Sequence, residues 1–350
     1  MDNEKVFLFI GNNIEAHSIH TSALIWQGLV GDENTSIVSV DVKNEKYIFF
    51  IKKDMPDEKI FYLNDILAKR RIDFEAFEKA SKYSLAAVDK RVGNVSWDVP
   101  LEISGESDIT WMDVKSNKIF IQSRVSNKMF VSAYNITGGD LIWKISHDIS
   151  RFYTAYDLSP AFYKDILLLP LANSIEYINV ENGTVDKRYS NEDVDHIYSF
   201  NQNSIYNNTM NFVMEDISEY EYVVVDLDKN ITLSGGLLDL DDPGLGVWIN
   251  NIFIDLTTSG SVTAYKFYPD KDNEMSLFWQ KNYNTPLKFV GSDKQKIYLL
   301  GIESEQIIVV DIQSGTMLQS KPLLWPGKNV EMTNHNFIVQ SANKLFVIPR

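Results

Sequence analysis

An all-β chain folded as a β-propeller is what this sequence predicts, and three recurrences predict it. The segment AVDKRVGNVSW, Ala87 to Trp97, returns as AYNITGGDLIW, Ala133 to Trp143, with its small residue, Asx, Gly and Trp at identical offsets. Weaker copies follow at Asn179, Asp226, Lys266 and Asp311, so that successive anchors from Asp89 stand 46, 44, 47, 40 and 45 residues apart. A period near forty-five without helical patterning is the length of one four-stranded propeller blade.

Each copy reads as a hairpin. Alternating apolar residues precede the anchor, as in Phe130 to Tyr134, Ser174 to Ile178, Tyr222 to Val225 and Gln306 to Val310, which is the period-two signature of a strand. Four residues after the anchor stand Gly93, Gly139, Gly183, Asn230, Asp270 or Gly315, residue types that tolerate positive φ, so a short turn ending in a left-handed residue or bulge suits every copy. The anchor side chain is placed to accept a hydrogen bond from a backbone N–H two residues on. Trp97 and Trp143, eight residues past their anchors, are expected to wedge against the neighbouring blade.

Upstream, Val40 to Phe49 echoes Met112 to Ile121 and marks the inner hairpin of an earlier blade. A long insertion, 54–82, then separates Lys53 from Lys82. Within it Asn64 to Lys82 carries Ile66, Leu67, Phe74 and Phe77, has no Gly or Pro, and offers Asn64 or Asp65 as an N-cap, so one or two short helices are expected there. The terminal strands, Val6 to Ile10, Ile14 to Ile19 and Leu24 to Trp26 with Val330 to Asn334, Phe337 to Gln340 and Leu345 to Ile348, are expected to share a blade and close the ring. Six anchored hairpins plus one closing blade make seven blades; the surplus terminal strands leave eight as the other count. Closure removes the free sheet edges that would invite aggregation.

The pattern resembles the quinoprotein-like (PQQ-like) repeat, whose blades carry an Ala-x-Asp-x-x-Thr-Gly-x-x-x-Trp motif. Ala87, Asp89, Gly93 and Trp97 match it closely and Ala133, Asn135, Gly139 and Trp143 nearly so; Asp311 and Gly315 lack the Trp, and the copies at Asn179, Asp226 and Lys266 keep parts. The resemblance covers the chain from about Tyr83 onward. It implies architecture and leaves activity open, because the family spans dehydrogenases, scaffolds and binding proteins.

Composition agrees with a single domain over residues 1–350. No Pro/Gly/Ser-rich linker breaks the register, and 44% hydrophobic with 12% aromatic residues suffices for a core. Cysteine is absent, which excludes disulfides, thiolate metal sites and a cysteine nucleophile, together with the adjacent cysteine pair that the resemblance would bring from many quinoprotein alcohol dehydrogenases. The acidic start Met1 to Glu4 and the short apolar run after it do not form a signal peptide, and no segment reaches the length of a membrane span, so a cytoplasmic location is expected. Forty-eight acidic against 33 basic residues give a net charge of −15, which opposes binding to nucleic acid or to an anionic membrane.

Candidate chemistry is sparse. Asp226-Leu227-Asp228-Lys229-Asn230 opens like a calcium loop, but Ile231 stands where the sharp turn needs Gly. His17, His20, His147, His196 and His335 fall on different blades and select no triad or metal set. Trp111 and Trp248 could line a central funnel under a quinone cofactor; inter-blade packing is the plainer reading, and no cofactor or metal is expected. Two loops stand out for protein contact. The basic knot Lys69, Arg70 and Arg71 lies in the insertion. The segment Leu237 to Trp248 holds Asp239, Asp241 and Asp242 as a charged rim with Leu245 and Trp248 as apolar anchors; the alternative is that Leu245 and Trp248 begin the next inner strand and are buried, which for Trp248 is the plainer reading. The resulting expectation is a non-catalytic propeller that binds another protein as a scaffold or adaptor. An acidic neutralising partner of a basic toxin or effector is the alternative, and a quinone-dependent dehydrogenase a more distant one.

Overall fold

The computed structural model describes the chain apart from residues 1–4, 11, 19–20, 22, 42–43, 57–61, 64–70, 73–79, 104–106, 126, 150–157, 191–195, 207, 217–218, 239–244, 258, 269–273, 294, 324–328, 333–335, 342–343 and 350. It divides into two compact units, Met1–Thr154 with Asn179–Thr184, and Ala155–Ile178 with Val185–Arg350.

In the first unit, sheet 1 contains strands Lys5–Ile10, Asn13–Ser18 and Leu24–Leu29. Sheet 2 contains Thr35–Asp41, Tyr47–Asp54, Lys82–Asp89 and Val95–Pro100, and sheet 3 contains Asp108–Lys115, Lys118–Val125, Lys128–Asn135 and Leu141–Asp148. In the second unit, sheet 4 contains Ala161–Tyr163, Ile166–Pro170, Ser174–Asn179 and Val185–Ser190. Sheet 5 follows with His196–Ser199, Thr209–Asp216, Glu219–Asp226 and Ile231–Leu238, with Ile205–Tyr206 paired at its side. Sheet 6 (Leu245–Ile249, Ile252–Leu256, Ser261–Tyr268, Glu274–Asn282) and sheet 7 (Leu287–Ser292, Lys296–Gly301, Gln306–Asp311, Met317–Pro322) repeat the order. Sheet 8 has three strands, Asn329–Met332, Asn336–Ser341 and Lys344–Pro349. Each of the six anchored hairpins supplies the third and fourth strands of one of the six sheets between the terminal three-stranded pair, as the repeat predicts.

The middle strands of sheet 2 are apolar on both faces because that sheet is covered twice. Ile48, Phe49, Phe50 and Ile51 are all fully buried. Phe49 and Ile51 pack with Ile119 and Ile121 of sheet 3, whereas Ile48 and Phe50 pack with Ile14 of sheet 1. The core therefore lies between successive sheets, and near-continuous apolar runs replace the alternation of a half-solvated strand. Fourth strands alternate instead, as Val95–Pro100 does with every second residue exposed.

The insertion departs from expectation where it is described. Tyr62–Leu63 pairs antiparallel with Arg71–Ile72, so backbone groups expected to bond within a helix bond across two short strands. Ala80 is helical; the remainder of the predicted helical stretch lies outside the described residues.

The turns follow the sequence closely. The anchor Oδ1 accepts the N–H two residues on at Asp89 (Arg91, 2.8 Å), Asn135 (Thr137, 2.8 Å), Asn179 (Glu181, 2.8 Å), Asp226 (Asp228, 3.0 Å) and Asp311 (Gln313, 3.1 Å). The residue four beyond the anchor has positive φ in each: Gly93 at 75°, Gly139 at 76°, Gly183 at 74°, Asn230 at 57° and Gly315 at 64°. Asp270, the equivalent in sheet 6, lies outside the described residues. Arg91, through its side chain and then its backbone N–H, holds the Asp89 carboxyl below the usual carboxylate range. A depressed folded pKa means that the stabilisation is present above the unfolded value near ~3.9 and is lost as pH falls through the folded value. Asp89→Asn keeps the acceptor oxygen but not the charge, so it should lower stability at pH 7 by the carboxylate's contribution and flatten the loss of stability below about pH 4. Melting temperatures across an acid titration check this, and superimposable profiles for the two proteins would refute it.

The same geometry binds one sheet to the next through tryptophan. Trp26, Trp143 and Trp279 donate Nε1–H to the carbonyls of Lys90 (2.9 Å), Val180 (3.0 Å) and Ile312 (2.9 Å), in each case the residue after the next sheet's anchor. Their rings lie on Gly93, Gly183 and Gly315, and Trp97 lies on Gly139, where an added Cβ would sit 2.7 Å from the indole. Trp26 and Trp279 are motif members that pattern matching passed over: Ala16 pairs with Trp26 and Ala264 with Trp279 in the same register as Ala87 with Trp97. Lys187 takes the Trp position in sheet 4. Its ammonium lies over the Tyr177 ring, 4.5 Å from the centroid, and donates to the Leu227 carbonyl at 2.7 Å. No indole presses on the following turn, and there the positive-φ residue is Asn230 rather than Gly.

Candidate functional surface

Three of the eight residues proposed from sequence, Arg71, Leu245 and Trp248, fall among the described residues. Lys69, Arg70, Asp239, Asp241 and Asp242 lie outside the described residues, and Arg71 lies in the short pairing of the insertion. Leu245 opens the first strand of sheet 6 opposite Leu256. Trp248, three residues on, is fully buried among Val213, Val224 and Phe253, so it is a packing residue and not a surface anchor. The Gly- and Pro-rich approach resembles a loop locally, but the strand behind it turns the indole inward.

The calcium-like segment is committed elsewhere. Asp226 Oδ1 also accepts from Lys229 N at 2.8 Å, and Asp228 Oδ1 lies 2.9 Å from Lys164 Nζ and 3.1 Å from the Tyr163 hydroxyl. Lys164 first and Tyr163 second hold the Asp228 carboxyl below its usual range. Lys118 repeats the tie in the first unit: its ammonium meets Glu181 at 2.7 Å, and Glu181, like Asp228, stands two residues past an anchor. Among the described residues no three His, Cys, Asp or Glu side chains are grouped to hold a metal, and His17 pairs with Glu15 at 2.8 Å. Trp111 is half-buried on the first strand of sheet 3, beside a register shift between Ile109 and itself.

A different surface emerges in the first unit. Ser116, Asn117, Lys118, Asn135, Ile136, Thr137, Ile142 and Glu181 surround an open hollow of about 620 Å³. Asn117 accepts the Ile136 N–H through its carbonyl at 3.2 Å, which ties the two turns forming its floor. Ser116 and Asn117 have φ of 50° and 57°, the left-handed pair of a two-residue hairpin turn. Ile142, which lines it, is 41% exposed, and its chain neighbour Leu141 is 42% exposed. Leu24 and Ile25 in sheet 1 and Val95 in sheet 2 are exposed at the matching start of their fourth or last strands; in the second unit so are Val185, Ile231, Met317 and Leu318. Among the described residues these strands pair on one side only. Sequence reasoning passed over this set, although an apolar residue six or seven places past the anchor, or five in the case of Ile231, was its signal.

Among the described residues no helix is long and apolar enough to cross a membrane. No protein-family profile matches the chain, and no curated protein matches it. Many solved structures are similar to it in fold, two of them as follows. BamB from Moraxella catarrhalis is 12% identical with a TM-score of 0.61, over 99% of this chain and 96% of that one. The computationally designed Ika8 protein is 13% identical with a TM-score of 0.63, over 100% of this chain and 94% of that one. At such identities the likeness is one of architecture: repeated four-stranded antiparallel sheets, covered on both faces, make this chain a β-propeller.

Proposed function

We propose that the protein is a non-catalytic β-propeller that binds another protein, with Leu141 and Ile142 as the centre of contact. The observation that carries this reading is the pair of adjacent aliphatic side chains, 42% and 41% exposed, of which Ile142 lines the hollow. Apolar anchors beside a concavity with a polar rim are the usual centre of a protein interface, and the Lys118–Glu181 pair supplies such a rim. The strand that carries them is locked from behind by Trp143, so the surface is preorganised and little ordering is needed on binding. We read the blade motif as a quinoprotein-like repeat kept here for its packing residues.

The net charge of −15 favours a second reading, in which the partner is a basic protein that this chain neutralises. Acidic surplus would then speed association and make it salt-sensitive.

Immobilised protein used to recover partners from the native cell tests both. Ile142→Asp should reduce recovery of the specific partner at least tenfold, while Leu318→Asp, on sheet 7 of the other unit, should leave it unchanged. Equal recovery by both variants and the parent would remove this face from the proposal. Affinity insensitive to salt would remove the basic partner and leave the interface intact.

A further inference from the structure

Two fully buried polar side chains enter the seam between sheets 5 and 6 with no hydrogen-bond partner among the described residues. Asn211, on strand Thr209–Asp216, has both Oδ1 and Nδ2 unpaired, and Trp248, on strand Leu245–Ile249, has Nε1 unpaired. Their juxtaposition follows from the register. Val224 stands directly opposite Asn211 on the adjacent strand, and Val213 lies two residues along, hence on the same face. Val213 and Val224 both pack with Trp248. The intervening Phe212 points to the other face, edge-on to Tyr189 with centroids 5.5 Å apart. One step along the seam the two sheets come close, for Ser199 Oγ donates to the Gly246 carbonyl at 2.9 Å.

Three motif tryptophans, Trp26, Trp143 and Trp279, satisfy the indole N–H at a backbone carbonyl, whereas the Trp97 N–H is buried without a partner among the described residues. Trp248 is not a motif residue, and its cluster is otherwise aliphatic and aromatic. A primary amide with neither donor nor acceptor engaged, beside an unengaged indole, is strongly disfavoured in such surroundings unless a third group both accepts and donates. Water both accepts and donates through a single heavy atom, and native interiors hold such waters at buried polar groups.

We propose that the seam between sheets 5 and 6 is an internal hydration site, in which at least one long-lived water accepts from Trp248 Nε1–H and donates to Asn211 Oδ1. The water replaces the carbonyl that Trp26, Trp143 and Trp279 use and makes the Asn211 amide part of the join between these two sheets.

A high-resolution crystal structure of the full chain tests this directly, together with water-to-indole cross-relaxation on nitrogen-15-labelled protein. The Trp248 indole signal is assigned by its loss in Trp248→Phe. The expected result is density within hydrogen-bonding distance of both side chains and a cross-peak signed for a slowly exchanging water, with the cross-peak lost in Asn211→Leu. A dry seam, or an indole N–H bonded directly to the Asn211 carbonyl oxygen, overturns the proposal. So does a cross-peak that persists unchanged in a folded Asn211→Leu protein; should that variant not fold, the parent's density and cross-peak decide alone.

Discussion

Gly139→Val is expected to lower the free energy of unfolding by about 2–5 kcal/mol, from backbone strain and overpacking together. At φ 76° a β-branched side chain is strained before it touches anything. An added Cβ would then lie 2.7 Å from both the Trp97 ring and Val99 Cγ2, the two residues that sheet 2 presents to this turn. Neither can retreat easily, because Trp97 packs against Phe49 with ring centroids 5.9 Å apart. Gly138, one residue earlier, is the matched control: φ there is not positive, and an added Cβ meets only the Asp140 carboxylate, at 3.1 Å. Gly138→Ala should therefore shift stability by less than about 1 kcal/mol in either direction. Urea unfolding midpoints compare the two, and a Gly139→Val midpoint within error of the Gly138→Ala value would show that Trp97 does not clamp this turn.

Trp143→Ala carries the second large effect, a loss of about 3–5 kcal/mol. The indole is 8% exposed, lies on Gly183, contacts Phe120 at 5.8 Å between centroids, and donates to Val180 at 3.0 Å. Removing it opens a cavity and leaves a carbonyl unpaired. Trp143→Phe separates the contributions, because it keeps most of the ring and drops the hydrogen bond, and should cost about 1 kcal/mol for that bond plus the lost ring volume. If Trp143→Phe proves as damaging as Trp143→Ala, the hydrogen bond rather than the wedge dominates. If both are near neutral, Trp143 does not hold the Asn179–Thr184 turn. Trp143 also backs the strand that carries Leu141 and Ile142, so Trp143→Ala should weaken partner recovery as well as stability.

The two predictions rest on features of different legibility. Turns such as Asn135 to Gly139 were readable from the amino acids because every bond that makes them is local: the Asx oxygen reaches two residues on, and the Gly139 N–H returns to the Asn135 carbonyl at 2.8 Å. The wedge was readable in part, since the offset marked Trp97 and Trp143 as facing a neighbour. Trp26 and Trp279 were not marked. Ala264 and Trp279 stand fifteen residues apart in the chain where Ala87 and Trp97 stand ten apart, and Ser18 occupies the position of the Asx anchor before Trp26, so neither copy matches the motif although cross-strand pairing with Ala16 and Ala264 keeps its register. Leu245 and Trp248 were proposed as surface anchors beside a polar, Gly-containing loop. A strand alternates its faces, however, and which face of the first strand of sheet 6 is covered depends on sheet 5.

By itself, then, the order of amino acids determined the repeat length, the hairpins, the bulged turns and the all-β class, all of which depend on contacts within one forty-five-residue unit. Only the tertiary structure decided what each sheet presses against. It brought Lys118 to Glu181 and Asn211 into the seam beside Trp248, and it buried one tryptophan while leaving Leu141 and Ile142 in solvent. Burial is a property of the neighbour as much as of the residue, and here the neighbour is another sheet roughly one repeat away.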